Sequence, residues 1–534
     1  MIRLVGLVTL LAAAASGHGA DRMVFGSFKN SDNAHNWAAR VGQLLQAKIG
    51  VGVLDSDGET WYRVTSGALE PAAYQDLERR AANNGIRYWR LLGSEDAAVV
   101  PGIAVNPQTP VRARPAARAR EPAPANDQAT VVHTPPALAE RESAEPFDVD
   151  IDLGLQARTY AKSGFDGQSR FQPSFSASVD YYRRWDQDRQ SLTVSPFVRL
   201  DAEDDERTHF DLREFYWSRV GDDWDLHVGV KQVFWGVTEF KHLVDIVNQT
   251  DLVENIDGED KLGQPMAHLS MIRNWGIVDL YVLTGFRERT FPGEDGRLRL
   301  VVPVDQDRAS YESGAGQSRI DGAIRWSHNL GPVELGVHHF TGTSRDPQLL
   351  PGLTNAGEVV LRPNYPVIDQ TGLDAQAILG DWALKLEAIS NSGFGDRYTA
   401  MNAGFERTLV GFMGGRADLG VVAEYMFDDR DEAATTTLFE HDLALGTRWS
   451  LNDVADTQAL VGVIWDVETD EYVFKVEGSR RLGETWTLLL EGRVFGGADQ
   501  PDSAAVLQSL TDADNKSASL QRDDFLQLEL TRYF

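Results

Sequence analysis

The 534-residue chain contains no cysteine. That absence excludes disulfides, thiolate metal sites, cysteine nucleophiles and lipoprotein modification, and it fits export into an oxidising compartment. No stretch beyond the N-terminus has the ~18 uninterrupted apolar residues of a spanning helix, so a helical membrane bundle is excluded and any insertion must use strands. Basic residues are few, 51 Lys and Arg against 80 Asp and Glu, and the formal charge of −29 argues against a nucleic-acid partner, whose phosphates demand a basic surface. There is no P-loop, no Gly-x-Ser-x-Gly elbow, no His-Glu-x-x-His and no calcium loop. His338 and His339 are adjacent, but neighbouring strand residues face opposite ways and cannot share one metal. No catalytic residue, metal or cofactor is expected.

What is present divides into four parts. Residues 1–20 carry Arg3, an apolar run from Leu4 to Ala15 and small residues after it, the pattern of a secretory signal peptide. Residues 21–94 alternate strand and helix periodicity in the order βαββαβ: strand 23–28, helix 31–49, strands 51–54 and 60–65, helix 71–84, strand 86–92. That is a split βαβ unit, a small α+β domain of ferredoxin-like type. Ala34, Trp37, Ala38, Val41, Leu44 and Leu45 make one apolar face of the first helix. Alternation in the third strand puts Tyr62 and Val64 on one face and Trp61, Arg63 and Thr65 on the other. The helices can cover only one face, so Trp61 and Arg63 are expected to stand exposed, a ring for stacking on a pyranose and a donor fork for hydroxyls or carboxylates.

Phe25-Gly26-Ser27-Phe28, Asn33-Ala34 at a helix start, then Trp61-Tyr62-Arg63-Val64 and Gly67 resemble the SPOR domain over about seventy residues. The resemblance implies binding of peptidoglycan glycan strands, preferentially those stripped of stem peptides, on the open face of the sheet, with Ser27 beside Trp61 and Arg63 as contacts. Val24 departs from the Gln that members often carry two residues before the Gly-Ser pair.

Residues 95–146 hold nine of the chain's 21 prolines and almost no aromatic residue, so they cannot build a core and read as a disordered linker. Such a leash averages ~40 Å as a coil and reaches ~150 Å fully extended.

From 147 to 534 the pattern becomes repeated alternation of apolar and polar residues. Trp224, Leu226, Val228 and Val230 alternate with Asp225, His227, Gly229 and Lys231, and Leu419, Val421, Ala423 and Tyr425 with Gly420, Val422 and Glu424. Eighteen such segments run from 148–161 to 521–534, among them 190–201, 223–235 and 414–428. Short turns such as Gly221-Asp222, Asn274-Trp275 and Gly380-Asp381 fall on one side, and the long connections 236–264, 288–318, 345–369 and 498–520 on the other. Tryptophans sit near strand ends. The expected fold is mainly β, a transmembrane antiparallel barrel of about 18 strands with an aromatic girdle, short periplasmic turns and long outer loops. The terminus Leu526 to Phe534 resembles the insertion signal read by the barrel assembly machinery, with Arg532 where an apolar residue is usual.

The inward face carries Glu334, Glu387, Glu424, Glu477 and Glu491 together with Arg213, Lys231, Lys385, Arg448, Lys475 and Arg493, as a hydrated lumen requires. Segment 237–265 is apolar where an outer loop should be polar, and Phe240, Leu243, Val244 and Val247 have one-turn helical spacing. Exposed to water that surface is costly, so the segment is expected to fold into the lumen as a constriction or plug, much as the inward loop of porins does. These features imply a porin-like outer-membrane channel for a polar or anionic solute. It would be surrounded by outer-membrane lipid and lipopolysaccharide and tethered to the wall through its periplasmic N-terminal domain. The rivals are a plugged barrel serving as an anchor and an exporter of lipid or polysaccharide.

Overall fold

The computed structural model describes parts of residues 22–91, then 147–431, 437–499 and 515–534. The chain divides into two compact units, Met1–Ala116 and Ala117–Phe534. The expected leader 1–20 and linker 95–146 lie outside the described residues.

In the first unit β1 (Arg22–Phe28), β2 (Ile49–Ser56), β3 (Glu59–Ser66) and β4 (Trp89–Leu91) form one antiparallel sheet in the order β2-β3-β1-β4. Ala34, Ala38 and Val41 are helical, as are Leu77 and Ala81, and all five are buried against Met23, Phe25, Val51 and Val64. The helix expected to reach residue 49 stops earlier. The Ala47 N–H returns to the Gly42 carbonyl at 3.1 Å, a six-residue closure of the kind that ends helices, and β2 begins at Ile49.

Among the described residues the second unit has twenty-one strands. They are β5 (Phe147–Tyr160), β6 (Phe171–Trp185), β7 (Gln190–Asp201), β8 (His209–Val220), β9 (Trp224–Lys231), β10 (Gln264–Arg273) and β11 (Gly276–Leu283), then β12 (Ser310–Tyr311), β13 (Asp321–Leu330), β14 (Val333–Thr343), β15 (Gln348–Leu353), β16 (Val359–Tyr365) and β17 (Val367–Leu379). β18 (Trp382–Ser392), β19 (Tyr398–Leu409), β20 (Asp418–Asp428), β21 (His441–Ser450), β22 (Gln458–Asp466), β23 (Tyr472–Arg481), β24 (Trp486–Gly496) and β25 (Phe525–Tyr533) complete it. Eighteen close into an antiparallel barrel in which each strand pairs with its neighbours in the chain, and β25 pairs with β5. The other three, β12, β16 and β15, form a separate small sheet inside connections expected to be plain loops.

The wall follows from alternation. Along β20 Val421 and Tyr425 are exposed on the outer face while Val422, Glu424 and Met426 are buried inside. The same holds for Leu445, Leu384, Val228, Leu526 and Leu528, which face outward. An apolar exterior of this extent is what a barrel turns to membrane hydrocarbon. Among the described residues no helix is long and apolar enough to cross a membrane.

Strand ends follow turn chemistry. Gly331 and Gly380, both at φ 65°, adopt the left-handed backbone that two-residue connections need. The strand expected over 190–201 coincides with β7, whereas 414–428 begins only at Asp418 because a 3-10 turn at Phe412–Gly414 intervenes. Pro196 offers no N–H to the ladder, and the register between β7 and β8 shifts at Ser195 and Pro196. Arg532 faces outward between two rings, its guanidinium 5.4 Å from the centre of Trp486 and 4.3 Å from that of Phe534. That aromatic sandwich explains a cation near the end of the closing strand.

Replacing Leu445, 48 % exposed on the outer face, with Arg is expected to cost about 2–4 kcal/mol in lipid bilayers. Urea unfolding of vesicle-reconstituted protein checks it, and Leu445→Ala separates lost packing from buried charge.

Candidate functional site

The connection 232–263 between β9 and β10 does not project from the barrel end. It crosses the lumen. β9 stops at Lys231 rather than 235, and Trp235 turns inward to pack on Tyr281 at 5.5 Å and His338 at 4.9 Å between ring centres. The helix suggested by the spacing of Phe240, Leu243, Val244 and Val247 is absent: 232–263 is a succession of bends and turns. Its backbone groups therefore need partners from the wall, because the strand ladders have already used the wall's own.

Two wall carboxylates supply them. Glu387 on β18, fully buried, accepts the N–H groups of Val237 at 2.7 Å, Thr238 at 3.0 Å, Leu243 at 2.7 Å and Val244 at 3.3 Å, and the Thr238 hydroxyl at 2.8 Å. Glu424 on β20 accepts the N–H groups of Glu239 at 2.7 Å and Phe240 at 3.0 Å. Arg448 on β21 meets Glu239 at 2.6 Å, Asn402 on β19 donates to the Lys241 carbonyl, and Gln370 on β17 donates to that of Leu243.

The four apolar residues named from sequence do not form one ring. Leu243, Val244 and Val247 pack with Trp235, Met266, Tyr281, Phe340 and Ile389. Phe240 lies apart with Met426, Ala444 and Ile464, and its ring rests on two wall glycines: a Cβ on Gly446 or Gly462 would come within 3.0 Å of it. Those glycines leave a notch that any side chain would fill.

Further along the segment the polarity reverses, and its own carboxylates face wall cations. Arg199 on β7 pairs with Glu254 at 2.7 Å, Arg213 on β8 with Asp251 at 2.9 Å, Arg493 on β24 with Asp257 at 2.7 Å and Lys475 on β23 with Glu259 at 3.9 Å. Arg158 and Arg207 donate to the carbonyls of Glu254 and Val253. The segment thus reaches strands on opposite sides of the barrel. Most of the wall charges expected to line a hydrated lumen are instead committed to it.

Sequence reasoning missed Arg158, Arg199, Arg207, Asp251, Glu254, Asp257 and Glu259. The three-residue spacing of Asp251, Glu254 and Asp257 was visible, but their partners Arg213, Arg199 and Arg493 lie tens to hundreds of residues away in the chain. His338 is buried inside and His339 exposed outside, hydrogen-bonded to Thr371 at 2.9 Å. Among the described residues Asp257, Glu477 and Glu491 bring carboxylate oxygens within 4.8 Å of one another. Arg493, 3.0 Å from Glu491, and Lys475, 2.7 Å from Glu477, already balance them.

In the N-terminal sheet Ser27 pairs with Arg63 in the backbone register of β1 and β3. Tyr62 packs against the core and Val64 is buried in it. Arg63 is half-buried rather than exposed, and its Nε has no hydrogen-bond partner among the described residues. The side chains of Ser27 and Trp61 lie outside the described residues.

No family model and no curated protein matches the chain. Solved structures similar to it include Pseudomonas aeruginosa OccD3, at 8% identity and a TM-score of 0.43 over 73% of this chain and 91% of that one. Pseudomonas aeruginosa OpdQ is 10% identical, with a TM-score of 0.41 over 73% and 99%. Escherichia coli Wzi, described as a carbohydrate-binding β-barrel involved in capsule assembly, is 8% identical with a TM-score of 0.43 over 73% and 84%. Nothing about this chain's solute follows from them.

Removing one partner of a buried ion pair strands the other. Arg199→Ala is expected to destabilise the seat of Glu254 by about 3–5 kcal/mol, raising trypsin cleavage after Lys261 by two orders of magnitude or more. Arg199→Met with Glu254→Gln should restore resistance. Unchanged cleavage in the single variant would mean that Glu254 is solvated.

Proposed function

We propose that the chain is a porin-like channel of the bacterial outer membrane, restricted by segment 232–263 and tethered to the cell wall by its N-terminal domain. The observation that carries the reading is a long, hydrogen-bonded segment lodged inside a closed barrel with an apolar exterior. A barrel of eighteen strands is wide enough for an aqueous path, so its conductance depends on what fills it. β5 begins and β25 ends at the short-turn end, which belongs in the periplasm when the long connections face outward. The exterior would meet outer-membrane lipid and lipopolysaccharide, and β25 would be read by the barrel assembly machinery.

For the tether, the sheet order β2-β3-β1-β4 is the one a split βαβ unit gives, and Ser27 opposite Arg63 supports the SPOR-like reading of that face. Peptidoglycan glycan strands are the partner this reading names. A second reading, a closed barrel serving as an anchor, is favoured by the grip of 232–263 on strands from β7 through β24.

Planar-bilayer recording decides between them. Shortening 237–260 to a brief turn should raise single-channel conductance well above that of the intact chain. Equal conductance would remove the segment as the constriction, and silence from both would favour the anchor. For the tether, Trp61→Ala in the full chain should weaken co-sedimentation with amidase-treated glycan strands by about 1–3 kcal/mol, judged by aromatic stacking on bases. An intact chain that stays in the supernatant would refute wall binding.

A further inference from the structure

The lodged segment is held by two different chemistries, and the difference assigns a role to two residues of the wall. Over 251–259 the segment offers side-chain carboxylates to cations spread over four strands. Over 237–244 it offers mainly backbone N–H groups, and six of these converge on Glu387 and Glu424. Building on the channel reading above, we propose that Glu387 and Glu424 are the positioning residues that hold 237–244 across the lumen, and that this stretch can leave its seat while 251–259 stays pinned.

Thr238 and His242 also reach Glu387 through their side chains, at 2.8 and 3.6 Å, but the six N–H groups are offered whatever side chains the segment carries. The apolar residues then fill space without being the fastening. The wall carboxylates, in contrast, cannot be replaced by isosteres. An amide keeps the size of Glu387 but turns one acceptor oxygen into an NH2 donor, facing N–H groups that are donors too. Buried donors left without acceptors are costly, and release of the stretch into water relieves that cost. Phe240 adds a ring docked in a wall notch, over Gly446 and Gly462. Opening of a part before the whole is ordinary where the grip is concentrated on few groups.

The absence of native cysteine makes the test clean. Lys241→Cys reports on the first stretch and Leu252→Cys on the second, in the full chain reconstituted in vesicles and exposed to a charged, membrane-impermeant thiol reagent. With Glu387→Gln and Glu424→Gln together, labelling at 241 should rise by about tenfold or more while 252 stays within about twofold. Leu243→Ala with Val244→Ala should leave labelling at 241 unchanged. Should the double carboxylate variant fail to assemble, Gly462→Val, which fills the notch, should raise labelling at 241 alone.

Unchanged labelling at 241 in the variant that assembles would overturn the assignment. So would a parallel rise at 241 and 252, which would mean that the segment unseats as one piece, or an equal rise on truncating Leu243 and Val244, which would make apolar burial the fastening. Labelling does not depend on conduction, so a silent channel would defeat the channel reading and leave this result standing.

Discussion

A closed strand wall has spent its backbone: each interior N–H and C=O is paired with a neighbouring strand, so a segment crossing the lumen must be satisfied by side chains. That constraint shapes the barrel interior. The segment 232–263 has neither helix nor extended ladder to satisfy itself, apart from isolated bridges such as Thr250 with Lys261. The wall answers with Glu387 and Glu424 for its N–H groups and with Arg158, Asn402 and Gln370 for its carbonyls, joined by Arg207 from the connection between β7 and β8. Inward charge in this barrel is therefore structural before it is anything else.

The wall was legible in the sequence because its period of two is local. Val421 and Tyr425 outside, Glu424 inside, and Gly380 at the turn each announce themselves within a few residues. The inward course of 232–263 was legible for a related reason, since Leu243, Val244 and Val247 had no place in water. What it looks like inside was not. A spacing that suits a helix produced none, because the wall's carboxylates reward exposed N–H groups that a helix would have used internally. The pairings of Arg199 with Glu254 and Arg493 with Asp257 depend on strand positions far apart in the chain. No local pattern encodes them.

Outside the barrel the same division holds. Helix stop and hairpin signals placed the four strands of the N-terminal sheet within a few residues, with Ser27 paired to Arg63 in their register. Arg63 is half-buried, an outcome that alternation alone does not determine. The hairpin of β15 and β16, within a connection expected to be irregular, carries Pro351 and Pro363, which mask its strand character.

The central claim is that wall carboxylates hold the backbone of 237–244 inside the barrel. Amide hydrogen exchange of the full chain in nanodiscs tests it most directly. The account requires Val237, Thr238, Leu243 and Val244 to exchange far more slowly than an unstructured loop, though faster than amides within β18 and β20. Exchange of these four at the rate of an unstructured loop, with the strands still protected, would contradict it.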